Sequence, residues 1–144
     1  LREILMVSVI IPAYNEADRI AATVRAVKTI PQVDEIIVVD DGSSDNTAEA
    51  ASLDGVRVIR QPQHRGKGEA LTAGVAAAAG DVLMFLDADL GETAQHAGAL
   101  LAPVLKGKLD MTIAVLPPAQ RKGGAGFVLR AAQEGIKQAT GFEA

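Results

Sequence analysis

Apolar residues along this chain come in short continuous runs divided by polar, glycine-containing stretches, and between those runs they recur at helical spacing. Residues 7–11 (VSVII) are a β-branched run that predicts a first strand, and Pro12 should stop it because proline has no N–H to give a ladder. Asn15 is placed to cap a following helix with Glu16 and Asp18 in its first turn, while Ile20, Val24 and Val27 repeat on one face until Pro31. Residues 35–40 (EIIVVD) predict a second strand, the turn Asp41-Gly42-Ser43-Ser44-Asp45 follows, and a short helix is expected over 46–53. Residues 56–60 (VRVIR) alternate, as a strand nearer the sheet edge would; 61–66 read as loop, and 67–79 as an alanine-rich helix closed by Gly80. The stretch 82–90 (VLMFLDADL) has no alternation, the pattern of a strand buried on both faces, and it ends in two carboxylates, Asp87 and Asp89.

Further along, residues 92–106 predict a helix with Leu100, Leu101, Val104 and Leu105 inward, a kink at Pro103 and Gly107 past its end. Residues 111–116 (MTIAVL) suggest a fifth strand ended by Pro117-Pro118. A basic, glycine-rich loop over 120–126 precedes an amphipathic helix over 127–138, which residues 140–142 have left. Strands alternating with helices in this way predict an α/β fold, a three-layer sandwich with a mainly parallel central sheet. At 144 residues the chain is expected to be a single domain over 1–144.

Composition narrows the function. The net charge of -4 comes from interspersed acids and bases without a basic run, and aromatic side chains make up 3%, so no nucleic-acid partner is expected. No cysteine is present, which leaves oxygen or histidine ligands for any metal. The longest apolar stretch, residues 71–86, is alanine-rich and broken by Thr72 and Asp81, so neither a membrane span nor an N-terminal secretion signal is expected.

In a parallel sheet every strand ends on the same edge, so loops 12–16, 40–45, 61–67 and 87–89 should converge. Glu16, Asp41, Asp87 and Asp89 would meet there, with Arg65 and Lys67 opposite in charge. Crowded acids repel one another unless a cation or hydrogen-bond donors compensate, which points to a metal and a polar ligand. Two carboxylates one residue apart can offer hard oxygen ligands to a divalent cation that also holds a diphosphate. Each residue also has a structural reading: Asp as a helix cap or turn former, Glu16 as a partner of a helix dipole, and Lys67 as a surface lysine.

Four motifs in order and spacing decide between these readings. IPAYNE (11–16), VVDDGSSDNT (38–47), RGKGEAL (65–71) and GDVLMFLDADL (80–90) together resemble the family 2 glycosyltransferases, whose nucleotide-diphospho-sugar-binding fold is called GT-A. The resemblance implies that Pro12, Ala13 and Tyr14 lie against the nucleoside and that Ala88 belongs to the same nucleotide-binding set. It implies that Glu16 reaches the ribose or base edge, that Asp41 accepts the imide N–H of a uracil, and that Lys67 approaches the base or diphosphate. Asp87 would face the ribose or a metal-bound water and Asp89 would bind Mg2+ or Mn2+ directly, the two forming the metal site.

The implied reaction moves a sugar from a nucleotide-diphosphate donor, expected to be a UDP-sugar, to an acceptor hydroxyl with inversion. Residues 66–71 also resemble retaining glucosyl-3-phosphoglycerate synthases, which leaves retention open. The acceptor is expected to be lipid-linked or a small phosphorylated molecule, and the protein cytoplasmic or peripheral at the cytoplasmic membrane face. Glu92, Asp110, Glu134 and Glu143 match no family motif, so the catalytic base is expected beyond Ala144, and the acceptor-binding part with it. Loop 120–126, with Arg121 and Lys122, is expected to fold toward the diphosphate or to be a solvated basic loop. His64 is expected to be a solvated loop histidine and His96 an ordinary helix residue. A nucleotide-sugar binder without transfer is one alternative. A phosphoacceptor receiver domain using Asp40, Asp41 and Asp87 is another, whereas a dinucleotide oxidoreductase lacks its Gly-x-Gly-x-x-Gly.

Overall fold

The computed structural model describes residues 4–115. The chain divides into two compact units, Leu1–Thr112 and Ile113–Ala144, and every element described here belongs to the first. The expected loop 120–126 and helix 127–138 lie outside the described residues.

A four-stranded, all-parallel sheet in the order β3-β2-β1-β4 forms the middle layer. Its strands are β1 (Val7–Ala13), β2 (Glu35–Asp40), β3 (Val56–Arg60) and β4 (Val82–Phe85). Helices α1 (Ile20–Lys28) and α2 (Thr47–Ala51) follow β1 and β2, and α3 (Lys67–Ala77) follows β3. The larger core gathers Ile20, Val24 and Val27 of α1 with Val9, Ile11 and Val38 of the sheet, and the smaller one sets Ala70 of α3 against Ile37 and Val39. These cores lie on opposite faces of β2, because Val38 alternates with Ile37 and Val39 along it. The result is a three-layer α/β sandwich. After β3 the chain returns past β2 and β1 to place β4 on the far side, so the direction of winding reverses between β1 and β4. Such a reversal opens a crevice at the C-terminal edge.

β1 is buried at all seven positions and continues through Pro12, which the sequence pattern assigned as its stop. Ile10 carbonyl accepts from Leu86 N–H on the β4 side, whereas Ala13 carbonyl accepts from Asp41 N–H on the β2 side. Pro12 alternates with Ala13, so its missing N–H would have faced β4, where pairing has already ended at Ile10 and Phe85. No ladder bond is lost there.

Other boundaries shift for local reasons. Asn15 does not cap α1: it adopts the left-handed region at φ 53, and its side chain serves the neighbouring loop instead. Asn46 makes no side-chain capping bond to α2, while Asp45 accepts the Thr47 N–H. β4 is the outer strand of the described sheet, not one covered on both faces, and Phe85 is exposed. Gly80 does not close α3; a Cβ there would sit 2.5 Å from Ser8 Oγ, so glycine permits the chain to pass against β1. The helix expected over 92–106 divides into a 3₁₀ segment, Gly91–Ala97, and α4 (Gly98–Leu105), with Pro103 inside α4. Residues 111–115 form no strand, and Met111, Ile113 and Val115 are exposed. β-propensity alone does not make a strand without a neighbour to pair with.

At the opposite edge of the sheet, acids hold the strand entrances. Asp34 accepts the Val7 N–H at 2.8 Å, Asp81 accepts the Met6 N–H, and Glu35 accepts both the Ser8 hydroxyl at 2.6 Å and the Ala79 N–H. The Ala79 N–H first, then the Ser8 hydroxyl and the Arg57 charge, lower the Glu35 carboxyl below its ordinary value against the opposing effect of burial. A lowered folded-state value stabilises the fold above the ordinary glutamate range, and that stability is lost as pH falls through the folded value. Glu35→Gln should therefore lower unfolding free energy by about 1 kcal/mol at pH 7. In urea titrations followed by circular dichroism, the gap from the parent chain should close as the pH falls below the glutamate range; a gap independent of pH would contradict the charge-based account.

Candidate functional site

Four loops meet at the C-terminal edge around a cavity of about 310 Å³. Its lining contains Pro12, Ala13, Tyr14 and Glu16 after β1, Asp41 after β2, Lys67 at the start of α3, and Asp87, Ala88 and Asp89 after β4, whereas Arg65, expected opposite the acids in charge, does not line it. His64, expected to be an ordinary solvated histidine, lines it too.

Hydroxyls and carboxylates brace the first two loops against each other. Asn15 N–H donates to Ser43 Oγ at 2.9 Å, Glu16 N–H to Thr47 Oγ1 at 2.9 Å, and Ala17 N–H to Asp45 at 3.2 Å. In return Ser44 N–H donates to Asn15 Oδ1 at 2.9 Å. The Thr47 hydroxyl first, and then the Ala17 and Thr47 N–H groups, lower the Asp45 carboxyl below its ordinary value against an opposing effect of desolvation. Backbone donors that would be orphaned at a helix entrance are thus satisfied across the gap between loops.

Asp41 draws the third loop onto the second. One carboxylate oxygen accepts the Arg65 N–H at 2.9 Å; the other accepts the Gly66 N–H at 2.8 Å and lies 2.8 Å from His64 Nδ1. Gly42 makes this approach possible: it holds φ 69, and a Cβ would fall 2.4 Å from the Gln63 carbonyl carbon. The His64 ring then stacks on Tyr14, with centroids 3.9 Å apart and planes at 27°. Only 3% of the Asp41 side chain is exposed, against 50% of His64. The carboxylate expected to meet a ligand directly is thus mostly committed to its own loops, with an imidazole in front of it.

Asp87 and Asp89 are placed differently. Asp87 pairs with Lys67 and Asp89 lies 3.6 Å from Arg19 Nη1, all four side chains being about half exposed or more. Exposed pairs of this kind are worth no more than about 1 kcal/mol, so a ligand can displace them. Between these acids, Ala88 is buried, and its carbonyl accepts the hydroxyl of Thr23 at 2.7 Å while the same hydroxyl accepts the Gly91 N–H at 2.8 Å. Thr23, fully buried on α1, fixes the loop that presents both acids. Its position on the inward face of a helix signalled only core packing, so sequence reasoning passed over it.

Two exposed carboxylates with basic partners fit a divalent cation shared with a phosphate ligand. Among the described residues no group of three or more His, Cys, Asp or Glu converges as a cage. The remaining ligands would have to come from phosphate and water, the usual way of holding Mg2+. The receiver alternative fits poorly, because Asp40 is fully buried, accepting the Ser43 N–H at 3.0 Å and facing Arg60 Nε at 3.4 Å.

The sequence matches Glycosyl transferase family 2 over residues 8–141. Glucosyl-3-phosphoglycerate synthase of Mycobacterium tuberculosis H37Rv is 39% identical over 93 residues, covering 58% of this chain and 29% of that protein. Undecaprenyl-phosphate 4-deoxy-4-formamido-L-arabinose transferase of Proteus mirabilis is 39% identical over 111 residues, 70% of this chain and 34% of that one. The chain thus spans about a third or less of the length of these relatives. Among solved structures, the M. tuberculosis synthase bound to Mn2+, UDP and phosphoglyceric acid superposes with a TM-score of 0.64 at 35% identity, covering 70% of this chain and 39% of that one. Its complex with Mg2+ and UDP gives 0.63.

Two substitutions test how the site is held. Asp41→Ala should cost about 1–3 kcal/mol by leaving loop donors unpaired. It should also speed tryptic cleavage after Arg65, followed by mass spectrometry, and an unchanged cleavage rate would show that the loop is held by other contacts. Thr23→Val, which keeps shape but not the hydroxyl, should lower stability by about 1–3 kcal/mol through the unpaired Ala88 carbonyl, as read by thermal and urea unfolding.

Proposed function

The chain belongs to Glycosyl transferase family 2, and from that premise we propose that it forms the donor site of a metal-dependent glycosyltransferase using a UDP-sugar. The observation that carries this reading is the gathering of Pro12, Tyr14, Glu16, Lys67, Asp87 and Asp89 around one cavity at the sheet edge. Tyr14, with the His64 ring stacked on it, would wall the nucleoside end together with Pro12 and Ala13, and Glu16, on the same cavity, would serve the ribose. Asp41 shapes the base end of the pocket by holding loop 64–66. Asp89, with Asp87, would hold Mg2+ or Mn2+, and a cation there stabilises the charge that grows on the leaving diphosphate by several kcal/mol. Lys67, once separated from Asp87, is free to face the diphosphate.

Inversion at the anomeric carbon is the proposed course, to be read from the anomer of the product by NMR. The acceptor is proposed to carry a phosphate: the relatives' names include a phosphoglycerate and an undecaprenyl phosphate.

Calorimetry with UDP, GDP, CDP and ADP, each with and without Mn2+, tests the donor reading. UDP should bind best and need the metal; equal binding of all four would sink the proposal. Asp89→Ala should remove the metal dependence while leaving the far-ultraviolet circular dichroism unchanged, since an exposed loop carboxylate contributes little to the core.

A further inference from the structure

We propose that His64, not Asp41, is the group that reads the pyrimidine edge: its Nε2 accepts the imide N–H of uracil. The inference rests on the UDP-donor reading and adds the residue that sets base selectivity.

Asp41 has little left to offer a ligand. Three donors already approach its two oxygens, from Arg65 N, Gly66 N and His64 Nδ1, and its side chain is 3% exposed. His64 stands in front of it, half exposed, on the cavity wall. Contact with the carboxylate also fixes the chemistry of the ring. An ionised carboxylate has only lone pairs, so Nδ1, 2.8 Å away, must carry the proton. In neutral imidazole the other nitrogen is then an acceptor. Among the described residues no hydrogen bond reaches Nε2; those made by His64 run through Nδ1.

The ring is held where it stands from two sides, and its backbone is held as well. Asp41 takes Nδ1 and Tyr14 stacks on one face at 3.9 Å, while Gly42 packs against the loop so closely that a Cβ would fall 2.5 Å from the His64 backbone N. A group held this way loses little freedom when a ligand arrives, so its hydrogen bond is available for discrimination. Uracil presents an N–H at ring position 3. Cytosine presents a lone pair there, which would face the lone pair of Nε2. The Asp41–His64 pair thus works as a relay that turns a buried carboxylate into an exposed acceptor.

The test compares UDP, CDP and 3-methyluridine 5′-diphosphate, with Mg2+, on the parent chain and on His64→Phe. Phenylalanine keeps an aromatic ring on Tyr14 and removes both nitrogens. The parent should prefer UDP to both analogues; in His64→Phe the UDP preference over CDP should fall about fivefold, the value of roughly one net hydrogen bond. The penalty for the 3-methyl group should shrink with it. An undiminished preference in the folded variant would overturn the assignment to His64 while leaving the donor reading intact. Failure of the parent to bind UDP at all would overturn both. Independently of how the variant folds, the parent's His64 Nε2 nitrogen resonance should shift on adding UDP and stay put with the 3-methyl analogue. Equal shifts with the two would also refute the proposal.

Discussion

The architecture depends on one strand paired on both sides. β1 lies between β2 and β4 with every residue buried, and because all neighbours run parallel, their ends deliver four loops to one edge. The strand tolerates a proline at its end because the partner on that side has already departed. That same departure matters for the site, since the divergence of β1 and β4 opens the space that the loops surround. Packing and function therefore share an origin in the order of the strands.

The polar residues at that edge fall into two groups by exposure. Ser43, Asp45, Thr47 and Asp41 spend their oxygens on backbone N–H groups of neighbouring loops. Removing such an acceptor strands a donor, so these residues make a firm wall. Asp87 and Asp89 have only exposed basic side chains as partners, a weak hold that solvent screens. A ligand bringing its own divalent cation competes easily for the second group and hardly at all for the first. Firm walls around displaceable charges suit the binding of a polar, multiply charged molecule.

Contacts along the cavity wall also connect Asp41 to Asp87. Loop 64–66, gripped by Asp41, leads directly into α3, whose first residue Lys67 reaches Asp87. Whatever fixes loop 64–66 thereby fixes where Lys67 begins. Thr23 performs a comparable task from beneath, tying α1 to the turn that carries both acids.

Much of this was legible in the residues alone. Uninterrupted β-branched runs fixed β2 at residues 35–40 and alternation fixed β3 at 56–60, because side-chain period follows directly from backbone geometry. Family motifs named the lining positions, as each motif sits at a strand end in a parallel sheet. Features that depend on which strands are neighbours were not legible. Pro12 within β1, the outer position of β4 and the unpaired residues 111–115 all turn on partners distant in sequence. The same holds for Thr23 and His64. A threonine on a buried helix face and a histidine in a polar loop look ordinary until folding brings Ala88 to one and Tyr14 and Asp41 to the other. Local sequence determined what each segment could be; the tertiary structure decided which donor met which acceptor, because those contacts join residues 23 to 65 positions apart.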